Sequence, residues 1–171
     1  MSDHPATASL LTTLGLRATP SSPIPNHAAG YIIGNWFLAH GILNPRASIR
    51  RLGQDHNNAP RENLLKYGEA AVQAGKITRG QLNRLKRREA AYENVIEGFP
   101  LFIAGVLLAL HAGVPTEIIN WVGLWFSVMR VAYATAAVAI ESEPLNFVPS
   151  LLWWLGNVSC LTALMLAGKR L

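Results

Sequence analysis

The feature that most constrains this chain is a long run near its C-terminal end that contains no charged residue. Residues 147–167 form an uninterrupted run of 21 apolar and uncharged polar residues. At about 1.5 Å per residue, an α-helix of this length extends roughly 31 Å, which matches a bilayer hydrocarbon core of about 30 Å. The run therefore predicts a helix that crosses a membrane.

Three further segments are predicted to cross as well. Residues 118–140 contain one charged residue, Arg130, and residues 95–114 contain only Glu97. The fourth segment, residues 27–43, is shorter, and an amphipathic helix that lies in the membrane interface is its alternative interpretation. Four crossings make the predicted fold class all-α, an integral membrane four-helix bundle.

The charge distribution excludes other classes of protein. Charged residues make up 15% of the chain, against about 25% in ordinary soluble domains, and the apolar content is too high for disorder. The net charge is +5, but 11 of the 15 Lys and Arg residues lie between residues 44 and 88. The positive-inside rule makes this segment a cytosolic loop. Since no recognition motif is present, no nucleic-acid partner is expected.

The predicted domain organisation is a flexible N-terminal tail, residues 1–26, followed by a membrane domain, residues 27–171, with the basic cytosolic loop at 44–88. Within the loop, residues 61–74 have helical character, Gly75 breaks the helix, and a new helix is predicted to begin near Thr78 and continue into the second span. Four basic residues of that helix can extend to anionic headgroups, which makes membrane lipid an expected partner. They are Arg84, Lys86, Arg87 and Arg88.

The cysteine and histidine content predicts neither a disulfide nor a metal site. The chain has one cysteine, Cys160, so an internal disulfide is impossible. His40 and His111 fall near span ends on opposite sides of the membrane, which disfavours a shared metal ion. A glycosylation triplet beginning at Asn157 lies inside a span and is interpreted as a chance match.

Two charged residues inside spans require partners. A charge at the bilayer centre costs about 2.5 to 3.5 kcal/mol on insertion scales, so such residues usually face a protein interior. Glu97 lies five residues past Tyr92, the predicted cytosolic boundary of the second span, and therefore about 8 Å from it; Arg130, on the antiparallel third span, lies about 15 Å from the same boundary. We therefore predict a buried Arg130–Glu97 ion pair, with Asn94 on the same helix face as Glu97.

This ion pair has a structural and a functional interpretation. It can simply fix the register of two helices. Alternatively, Arg87 or Arg88 adds positive charge on the cytosolic side of Asn94, and Tyr133 shares a face with Arg130. Such a pocket would suit a small peptide-like ligand with carboxylates and an amine.

Residues 87–102 resemble the second-helix signature of a known family. They read Arg-Arg-Glu-Ala-Ala-Tyr-Glu-Asn-Val-Ile-Glu-Gly-Phe-Pro-Leu-Phe, and this run is similar to that of the MAPEG family, the membrane-associated proteins of eicosanoid and glutathione metabolism. The resemblance covers about residues 27–167. It implies a homotrimer of four-helix subunits in the endoplasmic reticulum or another internal membrane, with glutathione as co-substrate bound between subunits and a small hydrophobic electrophile as the second substrate.

The resemblance also implies roles for individual residues. Asn94 and Glu97 match the glutathione-contacting pair, and Arg87 or Arg88 matches the arginine that precedes it. Arg130 and Tyr133 match the third-helix ligands and are the expected catalytic residues.

One departure from the family pattern bears on the chemistry. The thiol-activating arginine of the family lies in the turn before the fourth helix, where residues 141–146 read Glu-Ser-Glu-Pro-Leu-Asn. A thiol with a pKa near 8.5 is mostly protonated at neutral pH unless a cation stabilises the thiolate.

Two functions therefore remain as expectations. The first is a membrane-bound glutathione transferase or peroxidase that acts on hydrophobic electrophiles. The second is a catalytically silent relative with a structural, lipid-binding or partner-binding role. A transporter is disfavoured because the charges cluster at one depth and no broken helix or internal repeat is present.

Overall fold

The computed structural model describes residues 10–17, 23–53 and 62–171, and every regular element in these ranges is helical. The elements are α1 (Ala28–Phe37), which continues as a π-helical segment (Leu38–Leu43), α2 (Arg46–Arg51), α3 (Asn63–Gln73), α4 (Arg79–His111), α5 (Thr116–Ala139) and α6 (Phe147–Gly168). A short 3-10 turn, Glu143–Leu145, connects α5 to α6.

Three of these helices are long and apolar enough to cross a membrane, namely α4, α5 and α6 with its preceding turn. This confirms three of the predicted spans by length and composition. The first predicted span is α1 with its π-helical continuation, which packs against α5 and α4. Together they form an all-α four-helix membrane bundle, as the sequence predicts.

The core of the bundle is aromatic and aliphatic. Phe102 of α4 stacks on Phe126 of α5 with ring centroids 4.1 Å apart, and Cys160 of α6 is fully buried in the same cluster. Many large apolar side chains on the outer faces are exposed, including Trp121, Trp125 and Trp154. Outward apolar faces are typical of helices that contact lipid.

Helix α3 and the start of α4 follow the sequence prediction closely, whereas α2 was not predicted. Gly75 ends the loop helix α3 with a left-handed φ of 69°, a conformation that glycine adopts without steric cost. Thr78 then begins α4 with a capping box, because its hydroxyl accepts from the Gln81 amide while the Gln81 side chain accepts from the Thr78 amide. Glu69 of α3 bridges to Arg79 at 2.5 Å and Lys86 at 3.1 Å. The predicted helix start and its continuation into the second span are confirmed.

Part of the N-terminal region contacts the bundle. The side-chain amide of Asn120 in α5 donates to the carbonyls of Gly15 at 2.9 Å and Pro25 at 2.8 Å. Its oxygen accepts from the backbone amide of His27 at 2.9 Å. Asn120 is fully buried, and these bonds use both of its N–H donors and one lone pair of its carbonyl oxygen. The remainder of the predicted tail, residues 1–9 and 18–22, lies outside the described residues.

Candidate functional site

Arg130 lies at the centre of the bundle. Its side chain comes from the middle of α5, and its exposure is 0%. Nη2 donates to Oδ1 of Asn157 on α6 at 2.5 Å. The guanidinium also lies over the Phe126 ring, 4.6 Å from its centroid, a favourable cation–π geometry. Among the described residues, Nε and Nη1 have no hydrogen-bond partner.

One glycine makes room for this guanidinium. A Cβ atom at Gly98 of α4 would overlap Nη2 of Arg130, whereas a Cβ atom at Gly156 of α6 would lie 4.0 Å from its Cζ, which is ordinary van der Waals contact. Gly98 therefore permits the close approach of α4 to the charged group. The cradle formed by Gly98, Gly156, Asn157 and Phe126 holds the cation between three helices.

The predicted Arg130–Glu97 ion pair is wrong. Within the described ranges, no ion pair joins these residues, and Arg130 is bonded to Asn157 instead. Glu97 is exposed, because successive side chains on a helix point about 100° apart, so that Gly98 faces the interior while Glu97 faces outward. The two residues are close in depth, as predicted, but lie on different faces of α4.

Glu97 faces an open cleft of about 670 Å³ on the flank of α4. The cleft lies between α4 and the segment at the start of α2. Four of its lining residues are glutamates. The lining consists of Asn44, Pro45, Arg46, Ile49, Glu62, Glu89, Tyr92, Glu93, Ile96 and Glu97. Of the predicted site residues, only Glu97 lines this cleft.

Asn94 and Tyr133 lie beside each other at the boundary between the interior and the surface. Asn94 is exposed, whereas Tyr133 is only 4% exposed. The Asn94 side chain is within hydrogen-bonding reach of the Tyr133 hydroxyl, and the charges of Arg130 and Glu97 both act on that hydroxyl. The structure thus brings Asn94, Glu97, Arg130 and Tyr133 to one level of the bundle.

The two predicted arginines of α4, Arg87 and Arg88, lie apart from the other predicted site residues. Arg87 donates through Nε to the Val138 carbonyl at 3.2 Å and forms an ion pair with Glu141. Arg88 donates through Nε to the Leu43 carbonyl at 2.9 Å. Both side chains therefore connect helix ends within the described chain and do not face the Glu97 cleft.

Sequence analysis missed the residues that hold Arg130. Asn157 was interpreted only as the start of a chance glycosylation triplet, although a buried amide in a charge-free span is itself a signal for a polar partner. Gly98 and Gly156 carry no signal that distinguishes them from other glycines until the position of Arg130 is known.

A comparison with protein-family models identifies the family to which this chain belongs. The MAPEG family model matches residues 28–168. The chain belongs to the MAPEG family. The match extends from the first residue of α1 to the last residue of α6, so it covers the whole bundle, and it confirms the resemblance predicted from residues 87–102. No curated protein and no solved structure shows significant similarity to the chain.

Membership of the MAPEG family supports the assignment of this chain as a membrane protein of glutathione or eicosanoid metabolism. In this MAPEG chain, the turn before the last helix is acidic, and its Glu141 pairs with Arg87. No group of three or more histidine, cysteine or carboxylate side chains with metal-binding geometry occurs in the parts of the chain that the structure covers.

The glycine cradle generates a prediction about stability. We expect Gly98→Ala to lower the melting temperature of the detergent-solubilised protein, because the added Cβ would overlap the Arg130 guanidinium and force helix α4 outward. The destabilisation should be about 1 to 3 kcal/mol. Differential scanning fluorimetry measures the change in melting temperature.

Gly30→Ala is the matched control, because no described atom beyond the adjoining backbone of α1 lies within 4 Å of a Cβ at Gly30. It should be neutral or slightly stabilising, since alanine has the higher helix propensity. Equal melting temperatures for the two variants would contradict the close packing of α4 on Arg130.

Proposed function

We propose that this MAPEG-family protein is a membrane-bound glutathione transferase or peroxidase that acts on small hydrophobic electrophiles. Glutathione would bind on the flank of α4, and the electrophile would arrive from the bilayer, where such compounds concentrate. The oligomer would be a homotrimer in the endoplasmic reticulum membrane, with a neighbouring subunit covering this flank.

The observation that supports this proposal is the state of Glu97. It is exposed on a helix of membrane-spanning length, and within the described ranges it has no cationic partner. A carboxylate at membrane depth is costly unless it is paired or protonated, and Glu97 shares its cleft with three other glutamates and with Arg46 alone as a cation. A cationic group of a ligand would therefore be stabilised beside it. The α-amino group of glutathione would supply that cation, and Asn94, one turn earlier, would bind a carboxylate or peptide group.

Tyr133 is the residue best suited to stabilise the reacting sulfur. Bound glutathione would supply the sulfur nucleophile, which must lose its proton before it attacks an electrophilic carbon. The Tyr133 hydroxyl lies beside Asn94 and within the electrostatic range of Arg130. It can donate a hydrogen bond to a thiolate, while the buried guanidinium of Arg130 stabilises the negative charge from behind.

Arg130 would therefore act on the sulfur through Tyr133 and without direct contact. Its side chain has no exposed surface, and its Nη2 atom is bonded to Asn157. Burial strengthens its field at Tyr133, because the low dielectric of the interior screens charge less than water does. This arrangement offers an activating cation in a chain whose turn before α6 contains no arginine.

A catalytically silent relative is the second candidate. It is favoured by the ion pair between Arg87 and Glu141, which engages one of the cations nearest to the turn where the family has its activating arginine. In that case Asn94 and Glu97 would bind a lipid or a neighbouring subunit, and the signature would serve assembly alone.

Equilibrium binding tests the first step of the proposal. Isothermal titration calorimetry of the detergent-purified protein should detect saturable glutathione binding at neutral pH. Glu97→Gln should weaken it about tenfold or more, because the charge-assisted bond to the amine is lost. Glu93→Gln is the matched control: it lies one turn away in the same cleft and should bind nearly as well as the wild type. Absence of binding at millimolar glutathione would contradict the proposal and favour the silent relative.

Turnover tests the second step. We expect Tyr133→Phe to lower kcat for conjugation of glutathione to a chlorodinitrobenzene by about 10- to 1000-fold, with glutathione affinity nearly unchanged, because only the hydrogen bond to the thiolate is removed. Tyr31→Phe in α1 should leave kcat unchanged. Full activity of Tyr133→Phe would exclude this residue from thiolate stabilisation, and an inactive wild type that still binds glutathione would support the silent relative.

A further inference from the structure

Three arginines converge where α2 lies against the polar part of α4. Arg84 and Arg88 are four residues apart on α4 and share one face of that helix. Arg88 donates through Nη1 to the Ser48 hydroxyl of α2 at 2.9 Å, and Arg51 follows Ser48 by three residues, one turn along α2. The charges of Arg51 and Arg84 both act on Arg88.

The three arginines differ in whether their side chains have partners within the described chain. Arg88 is fixed by its contacts with the end of the first helix, where it donates to the carbonyls of Ile42 and Leu43. Arg51 and Arg84 are exposed, and within the described ranges neither side chain has a hydrogen bond or an ion pair. Their neighbours Arg79 and Arg87 on α4 each pair with a glutamate. Like charges held this close repel each other, so a bound anion would stabilise the group.

The chemistry and depth of this cluster define the anion. The planar fork of a guanidinium matches phosphate oxygens and binds them in a bidentate manner. Counting along α4 at about 1.5 Å per residue, Arg88 lies roughly 6 Å and Arg84 roughly 12 Å before Tyr92, the predicted membrane boundary. Arg88 therefore lies within the headgroup layer, which extends about 5 to 7.5 Å beyond the hydrocarbon core on each side. The long side chain of Arg84 can reach that layer from one helical turn farther out.

We infer that Arg51 and Arg84, supported by Arg88, form a binding site for a phosphate group. The group comes either from the headgroup of an anionic phospholipid or from phosphate in solution. The site is separate from the Glu97 cleft, because none of these three arginines lines that cleft. The inference does not depend on the glutathione proposal.

Titration of the purified full-length protein with three probes tests the site. The probes are dioctanoyl phosphatidic acid, dioctanoyl glycerol and inorganic phosphate. The test variant is Arg51→Gln/Arg84→Gln. The matched control is Arg79→Gln/Lys86→Gln, which removes the same number of positive charges from the same surface but breaks the contacts to Glu69.

Phosphatidic acid should bind the wild type and the control, and the Arg51/Arg84 variant should bind it at least about tenfold more weakly. Dioctanoyl glycerol, which lacks phosphate, should bind none of them specifically. If inorganic phosphate binds with comparable affinity and the same dependence on Arg51 and Arg84, the phosphate site stands and its source is soluble. Failure of both phosphate probes to bind, or an equal loss in the two double variants, would overturn the inference.

Discussion

The buried guanidinium of Arg130 is the constraint on which the arrangement of this bundle depends. A cation with no exposed surface in the interior of three long apolar helices must be compensated locally, since its desolvation is expensive. Compensation comes from one amide oxygen, Asn157, and from the π face of Phe126. Because the guanidinium is bulky, the facing helix α4 carries glycine at Gly98, where a Cβ atom would overlap it. The mutual positions of α4, α5 and α6 at this level therefore follow from accommodating one side chain.

This constraint explains how the charged residues of the signature divide between two faces of α4. Gly98 occupies the inner face, where it contacts Arg130, so Glu97 must lie on the outer face. The Glu97 carboxylate is then exposed on the outer surface of the bundle, whereas the Arg130 guanidinium is buried in its interior. Under the proposed function, this division would assign recognition of a ligand to the α4 flank and would leave the interior charge to act through Tyr133.

The fold was largely predictable from the sequence, whereas the partners within it were not. The charge-free run in α6, the break at Gly75 and the cap at Thr78 are local signals, and local signals fix where helices begin and end. The ion pair between Arg130 and Glu97 was predicted from depth alone. Depth describes position along a helix axis, but contact also requires the correct angle around it, and that angle is set by tertiary packing. Asn157 and Asn120 were missed for the same reason, since a neutral amide in an apolar run reveals its importance only when its partner is known.

The most direct test of this account is a pair of double-mutant cycles for unfolding of the detergent-solubilised protein, one with Arg130→Met and Asn157→Leu and the other with Arg130→Met and Glu97→Gln. We expect a coupling free energy of about 1.5 to 3 kcal/mol between Arg130 and Asn157, as for a hydrogen bond to a charged group. Between Arg130 and Glu97 we expect a coupling of less than about 0.5 kcal/mol. The opposite order would mean that Arg130 pairs with Glu97 across the bundle, and it would contradict the division of charge between the two faces of α4.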